Sequence, residues 1–438
     1  MVSGGIIPSQ ASFLCGLKAC GSIGAIDKGR EIHAEICRRR LDEDVHIGTS
    51  LVDMYSNFVL FGKAREVFEK ISSVRNVVTW NVLITGYVNH GLSHEALDFY
   101  EKLHLDGISE NPTTFSCVVK ACGITSNIEK GQELHSKITR KGFECDIFIG
   151  TALVDMYANC GWLSEACVVF ERLPVRNVVT WNTLIGAYAK CGDNLAALGC
   201  LVRMEVDGFS PNPITYICIL KACGELEDLD NGTEILVDVT IKGMEMDPFV
   251  AYTLVDMYAN CGFLAEAQNM SDALHIRNVV SWTALIGGYV KYGLDQEALD
   301  CFQQMQIEVV SPNTFTYASI LKACGNIRAK EKGEKIHLEI ESQALLAADH
   351  VLTNVLIDMY AKCSLLKRAH EAFSRLIEPS IVSWNTLMGG YARHGYGEET
   401  WTIFLQMKFD GFTPDAISYG CVLQACATIG RVDKGRSI

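Results

Sequence analysis

Four tryptophans set the terms for everything else in this 438-residue chain. Trp80, Trp181, Trp282 and Trp384 lie 101, 101 and 102 residues apart. The words around them are nearly the same: VVTWNVLITGY, VVTWNTLIGAY, VVSWTALIGGY and IVSWNTLMGGY. Cys20, Cys122, Cys223, Cys324 and Cys426 keep the same interval. Self-similarity at a fixed period specifies a repeat array, in which each copy of one supersecondary unit buries its apolar face on its neighbours. A period of this length is too long for one such unit and must be divided.

It divides into three. A long unit carrying LKAC or VKAC precedes a short unit carrying LVDMY or LIDMY, and the tryptophan unit follows. Long units occupy residues 10–44, 112–146, 213–247 and 314–349. Short units occupy 45–76, 147–177, 248–278 and 350–380; tryptophan units occupy 77–111, 178–212, 279–313 and 381–415. Residues 416–438 begin another long unit, and residues 1–9 match the tail of a tryptophan unit, with Gly5, Pro8 and Ser9 aligned to Gly208, Pro211 and Asn212. Both ends therefore read as cut, and the expectation is a fragment of a longer protein whose targeting peptide or further domain lies outside the text.

Each unit reads as two helices. Positions 4, 7, 8 and 11 of the first tryptophan unit are Trp80, Leu83, Ile84 and Tyr87, the spacing of an apolar stripe along an amphipathic helix. After the break at His90–Leu92, Ser93 is expected as an N-cap with Glu95 in the first turn, and Gly107 as the stop of the second helix. Period-2 alternation is never sustained. The expected fold is all-α, a right-handed α-solenoid (superhelix) of stacked helix-turn-helix repeats.

The 18 cysteines recur at repeat-fixed places and no CxxC occurs, so neither a zinc pair nor a thioredoxin motif can be drawn. They read as small buried thiols of a reducing compartment. No apolar run approaches the ~20 residues a membrane span needs. His33-Ala34-Glu35 and His337-Leu338-Glu339 imitate the HxE of zinc nucleobase deaminases, but that chemistry needs a CxxC to complete its metal site. With no phosphate-binding glycine motif either, autonomous catalysis, a metal, a cofactor and a small-molecule substrate are not expected.

The unit lengths, their order and their signature words resemble the pentatricopeptide repeat family, specifically the plant subclass that arranges long, short and standard motifs in triplets. The resemblance covers essentially the whole chain. It implies sequence-selective binding of single-stranded RNA in mitochondria or chloroplasts, in RNA processing or C-to-U editing, with any editing or processing enzyme acting in trans. Repeats of this type read one base per unit with two or three side chains. A protein-interaction scaffold of tetratricopeptide type is the alternative from another class, and a non-functional gene fragment a third.

The residues can be tested against that expectation. At 100° per residue the apolar stripe of the first helix centres near about 20°, and positions 2, 5, 9 and 13 fall between about 140° and 220°, on the opposite face. In the family, position 5 and the last residue of a unit act as a pair. Carried over, Asn81 with Asn111 and Asn182 with Asn212 imply pyrimidines, Thr283 with Asn313 adenine, and Asn385 with Asp415 uracil. Among short units, Thr49 with Asn76 and Thr151 with Asn177 imply adenine, and Asn354 with Ser380 cytosine. Tyr252 departs from the pattern beside Asn278, and Leu14, Ser116, Ile217 and Ala318 make the long units spacers. The expected site is 5′-A-Y-n-A-Y-n-n-A-n-C-U-3′. The competing reading gives these asparagines only turn and cap roles.

A net charge of −14 and a pI of about 5.3 oppose a casual claim of nucleic-acid binding. The basic groups are nonetheless in register. Lys18, Lys120, Lys221 and Lys322 stand at position 9 of long units, and Lys190, Lys291 and Arg393 at position 13 of tryptophan units. They are the candidates for tracking phosphates.

Overall fold

The structure, a computed structural model, describes residues 8–429 except 72–74, 275, 344, 346–348 and 377. The sequence pattern over residues 1–7 and 430–438 lies outside the described residues. Every described element of length is a helix, 25 in all, with no strand among the described residues. The chain divides into two compact units, residues 1–222 and 223–438. In the first, the leading helices of successive repeats are α1 (Gln10–Ile23), α3 (Val45–Asn57), α5 (Val77–Asn89), α7 (Pro112–Ile124), α9 (Ile147–Asn159) and α11 (Val178–Lys190). Each packs on the next. In the second they are α15 (Pro248–Asn260), α17 (Val279–Lys291), α19 (Thr314–Asn326), α21 (His350–Lys362), α23 (Ile381–Arg393) and α25 (Ala416–Ile429), again in sequence. The division falls within α13 (Pro213–Leu226), and in the other hairpins the even-numbered helix packs on its own leading helix. Each unit is thus an all-α helical-repeat solenoid.

Local rules start and stop these helices. The last residue of each repeat is the N-cap of the next leading helix. Asp44, Asp146, Asp247 and Asp349 each accept backbone N–H groups two and three residues on, at 2.9–3.1 Å. Such a cap contributes about 1 kcal/mol. Left-handed residues end the leading helices, mostly glycines such as Gly91, Gly161 and Gly192. The second helix of the first tryptophan unit starts differently from the expectation, although Gly107 follows its end in the left-handed conformation expected of a stop. Leu92, not Ser93, precedes α6 (Ser93–Leu105), with no side-chain cap, and the Ser93 hydroxyl is buried without a partner among the described residues. Burial of the hairpin, not capping, holds that end.

Packing follows the apolar stripe. Trp80, Leu83, Ile84 and Tyr87 are at most 1% exposed. Three of the four repeat tryptophans meet the edge of a phenylalanine from the preceding short unit: Phe68 with Trp80 and Phe170 with Trp181 at 4.7 Å, Phe373 with Trp384 at 4.5 Å. T-shaped pairs of this kind add to what area burial already contributes. In the third triplet Ser271 takes the phenylalanine's register, fully buried, with its hydroxyl unpartnered among the described residues. The cysteines are less uniform than expected. Cys20, Cys122, Cys200, Cys223, Cys324 and Cys426 are buried, whereas Cys15, Cys37, Cys145 and Cys191 are exposed and none is in a disulfide. Burial pushes Cys122, Cys223 and Cys324 up to about 12, so these thiols are inert.

Ser271→Ala should stabilise residues 223–438 by about 1 kcal/mol, because a buried unmade hydrogen bond is removed. A rise in the thermal midpoint followed by circular dichroism checks this; a fall would mean that the hydroxyl has a partner.

Candidate nucleic-acid interface

Position 5 does not stand on the free face of the leading helix, as helical geometry alone suggests. It lies in the seam where that helix meets the next, because neighbouring leading helices pack side by side. Asn81 and Asn385 are buried, and Asn182, Thr49, Thr151, Thr283 and Asn354 are half-buried. The seam brings each tryptophan-unit pair together. Asn81 Nδ2 donates to Asn111 Oδ1 at 2.9 Å, Asn182 Nδ2 to Asn212 Oδ1 at 2.9 Å, and Asn385 Nδ2 to Asp415 Oδ1 at 2.9 Å.

A third residue joins each pair, one the sequence reading passed over. Position 3 of the following helix is Thr114, Thr215 or Ser418, and its hydroxyl donates to the Oδ1 of Asn81, Asn182 or Asn385 at 2.6–2.7 Å. Its backbone N–H meanwhile donates to the Oδ1 of Asn111, Asn212 or Asp415. Where position 5 is threonine the link runs hydroxyl to hydroxyl, Thr49 to Thr79 at 2.9 Å and Thr283 to Thr316 at 2.7 Å. Thr151 donates to the Ile147 carbonyl instead, beside the capping box of Asn177 and Thr180. Asn354 is not joined to Ser380, which caps α23 through Ser383, and its buried Oδ1 has no partner among the described residues. The signal for the third residue was legible: position 3 after every short or tryptophan unit is Thr or Ser, whereas after the four long units it is Ile47, Ile149, Val250 or Leu352.

This geometry decides which atom is left over. The cap consumes one oxygen of the last residue. For Asn111, Oδ1 accepts from Thr114 and Asn81, so the Nδ2 amide remains as a donor. For Asp415, Oδ1 accepts from Ser418 and Asn385, and Oδ2 also accepts from Asn385 Nδ2 at 3.1 Å; what remains on Oδ2 is a further lone pair, an acceptor only. Hydrogen bonds from Ser418, its backbone N–H foremost, and from Asn385 hold this carboxyl below its ordinary range. Donor or acceptor is therefore set by the identity of a helix cap.

Position 2 completes the site, and it too escaped notice as a functional place. Val78, Phe148, Val179, Phe249, Val280, Phe315, Val351 and Val382 all sit there, 53–75% exposed. In residues 1–222, Phe148 and Val179 flank Thr151 and Asn177 in a depression of about 280 Å³ that also holds Ser116, Lys120 and Asp155. A second depression, about 430 Å³, repeats the arrangement with His46, Val78, Thr49, Asn76, Lys18 and Asp53. Apolar walls with polar groups at the base suit a flat heterocycle.

All seven candidate cations are exposed. They do not form an unopposed basic stripe. Position 9 of short units is an acid throughout: Asp53, Asp155, Asp256 and Asp358. Burial pushes the Asp53 and Asp155 carboxyls up. Burial also opposes ionisation of Asp358, but hydrogen bonds from Lys362 and Arg393 outweigh it and hold its carboxyl low. Arg393 pairs with Asp358 at 2.9 Å, Lys291 with Glu227 at 2.7 Å, and Lys190 donates to Asn159 Oδ1 at 2.6 Å. Lys18, Lys120, Lys221 and Lys322 have no ion pair among the described residues.

No group of three or more His, Cys, Asp or Glu side chains among the described residues is placed to hold a metal. No described helix is long and apolar enough to cross a membrane.

Fold and site together define a helical-repeat array with a small polar constellation where each tryptophan unit meets the next repeat. A profile described as "PPR repeat family" matches residues 75–123, 176–225, 277–326 and 379–428, and one described as "PPR repeat" matches 151–178 and 351–379. The chain is 31% identical, over 96% of its length, to pentatricopeptide repeat-containing protein At4g18520, chloroplastic, of Arabidopsis thaliana, covering 68% of that protein. It is 33% identical to the Arabidopsis thaliana protein At3g09040, mitochondrial, over 96% of its own length and 41% of the relative's. The chain belongs to the pentatricopeptide repeat family. It spans 62%, 41% and 53% of the length of three such curated relatives. Its fold is that of maize PPR10, solved in complex with an 18-nt psaJ RNA element: the TM-score is 0.74 at 19% identity, over 100% of this chain and 69% of that one.

Asn81→Ala should destabilise residues 1–222 by about 1–2 kcal/mol, since it strips a buried acceptor from Thr114 and a donor from Asn111. Urea denaturation read by circular dichroism checks it; an unchanged midpoint would mean that the seam bonds contribute nothing to folding.

Proposed function

We propose that the chain binds single-stranded RNA in a sequence-selective way, one base at each short or tryptophan unit. The observation that carries the reading is the leftover cap atom between two exposed apolar side chains. The apolar residues at position 2 would hold the base by its faces, and the last residue would address its Watson–Crick edge. An Asn amide donates, which suits N3 of cytosine or N1 of adenine. The Asp415 carboxylate accepts, which suits the N3–H of uracil. Position 5 then sets size: threonine leaves room for a purine, asparagine favours a pyrimidine.

Thr49/Asn76 and Thr151/Asn177 would read adenine, and Asn81/Asn111 and Asn182/Asn212 pyrimidines, giving A-Y-n-A-Y along residues 1–222. Thr283/Asn313, Asn354/Ser380 and Asn385/Asp415 give A-n-C-U along residues 223–438. The cytosine assignment rests least on geometry, because Asn354 and Ser380 are not joined. Lys18, Lys120, Lys221 and Lys322 are the better phosphate candidates, being free of ion pairs; Lys190, Lys291 and Arg393 must give up an acceptor first. The names of the relatives support work in a mitochondrion or a chloroplast, on an organellar transcript. The repeats themselves supply recognition, and an editing or processing enzyme would act in trans.

A fluorescent 14-mer carrying the expected site, titrated beside a base-scrambled 14-mer at about 0.15 M salt, tests the reading. A preference of about tenfold, worth ~1.4 kcal/mol, is expected; equal binding would favour a protein-interaction scaffold. Thr283→Asn should move the preference at one position from adenine toward pyrimidine and leave the other positions alone. Asp155→Asn removes the acid beside Lys120 and Lys190, so affinity for all sequences should rise about fivefold and the salt dependence steepen. A change confined to one base would overturn that electrostatic assignment.

A further inference from the structure

The third short unit breaks the pattern at the one place where the pattern carries information. Its position 5 is Tyr252, where the other short units have Thr49, Thr151 and Asn354. The substitution is not a loss of structure. α15 is capped by Asp247 like its counterparts, and Asn278 caps α17 through its Oδ1, which accepts from Val280 and Ser281 at 2.9–3.0 Å. The cap chemistry is intact, but the side chain that should face it is an aromatic ring.

That ring is fixed in place. The Tyr252 hydroxyl donates to the Ile276 carbonyl at 3.2 Å, so its proton is already committed. Phe249, at position 2 and 68% exposed, meets the ring edge-on, with centroids 6.5 Å apart and planes at 79°. Val280, the apolar residue at position 2 of the next unit, is 53% exposed. Two rings nearly at right angles form an aromatic corner. Every base has a π-face, and stacking on it does not discriminate among them.

We infer that the third short unit is a universal position: it holds a base of any identity by stacking on one of the two rings, Tyr252 or Phe249, and meeting the other edge-on, and does not sort bases. This rests on the RNA-binding reading and makes it more specific. Tyrosine fills the volume into which a threonine-type slot admits a purine edge, and its donor is used. Affinity is kept while selectivity is given up.

The test uses the whole 438-residue chain and four 14-mers that differ only at the base facing this unit, with a fifth carrying an abasic residue there. The four affinities should agree within about threefold, and the abasic RNA should bind about tenfold more weakly, the scale of one stacked base. Tyr252→Ala should lower affinity for all four by about tenfold, with Tyr252→Phe restoring it, since the ring and not the hydroxyl does the work. Tyr252→Thr should create a preference for adenine. An abasic RNA bound as tightly as the others would mean that the unit is skipped. A tenfold preference in the unaltered protein would mean that it reads. Either result overturns the inference. In the same experiment the base facing Thr151 and Asn177 is varied: selectivity there without the predicted behaviour at Tyr252 sinks this inference alone, and its absence at both sinks the RNA-reading proposal.

Discussion

Everything in this chain hangs on a hydrogen bond at the start of a helix. The last residue of each repeat turns its side-chain oxygen back onto the first turn of the next leading helix, and the backbone cannot enter that helix cleanly without it. Because the cap residue must be Asn, Asp or Ser, a polar group is planted at every junction by folding alone. Only one of its atoms is needed for the cap. At an asparagine cap the amide nitrogen remains as a donor, and at Asp415 the second carboxylate oxygen keeps a lone pair beyond its bond from Asn385. In the tryptophan units with asparagine at position 5, that residue and the cap are bonded to each other directly and through Thr114, Thr215 or Ser418.

Sharing has a cost in freedom. A position-5 asparagine that is buried in the seam and bonded on both sides cannot be exchanged without disturbing the packing of two helices. The long units escape this constraint. Their caps are Asp44, Asp146, Asp247 and Asp349, their position 5 is apolar or small, and the next helix offers no hydroxyl at position 3. The same bond pattern cannot be built there.

Electrostatics is arranged by contrast, not by net charge. The chain is acidic overall, yet lysines recur on the same side as the caps. Aspartates at position 9 of the short units are interleaved with them, Asp155, Asp256 and Asp358 half-buried and Asp53 more open, with the Asp53 and Asp155 carboxyls pushed up by desolvation. Such acids temper a cationic lane and reduce indiscriminate attraction to polyanions.

How far the text could be read depends on the kind of interaction concerned. Helix placement, the apolar stripe around Trp80 and the caps are local, governed by residues within a few positions of each other, and were legible. The third residue of the constellation was written in the text as well, in the Thr or Ser that opens VTW, VSW and TTF, but its meaning depends on which helix packs beside which. The seam bonds of position 5 were missed for the same reason: a single helix viewed alone has a free side, and packing with a neighbour sinks part of that side into a seam. Likewise Ser271 and Ser93 look ordinary until their burial is known. Periodicity along one chain is a property of sequence, whereas burial and the pairing of side chains thirty residues apart arise only when helices stack and exclude water from what lies between them.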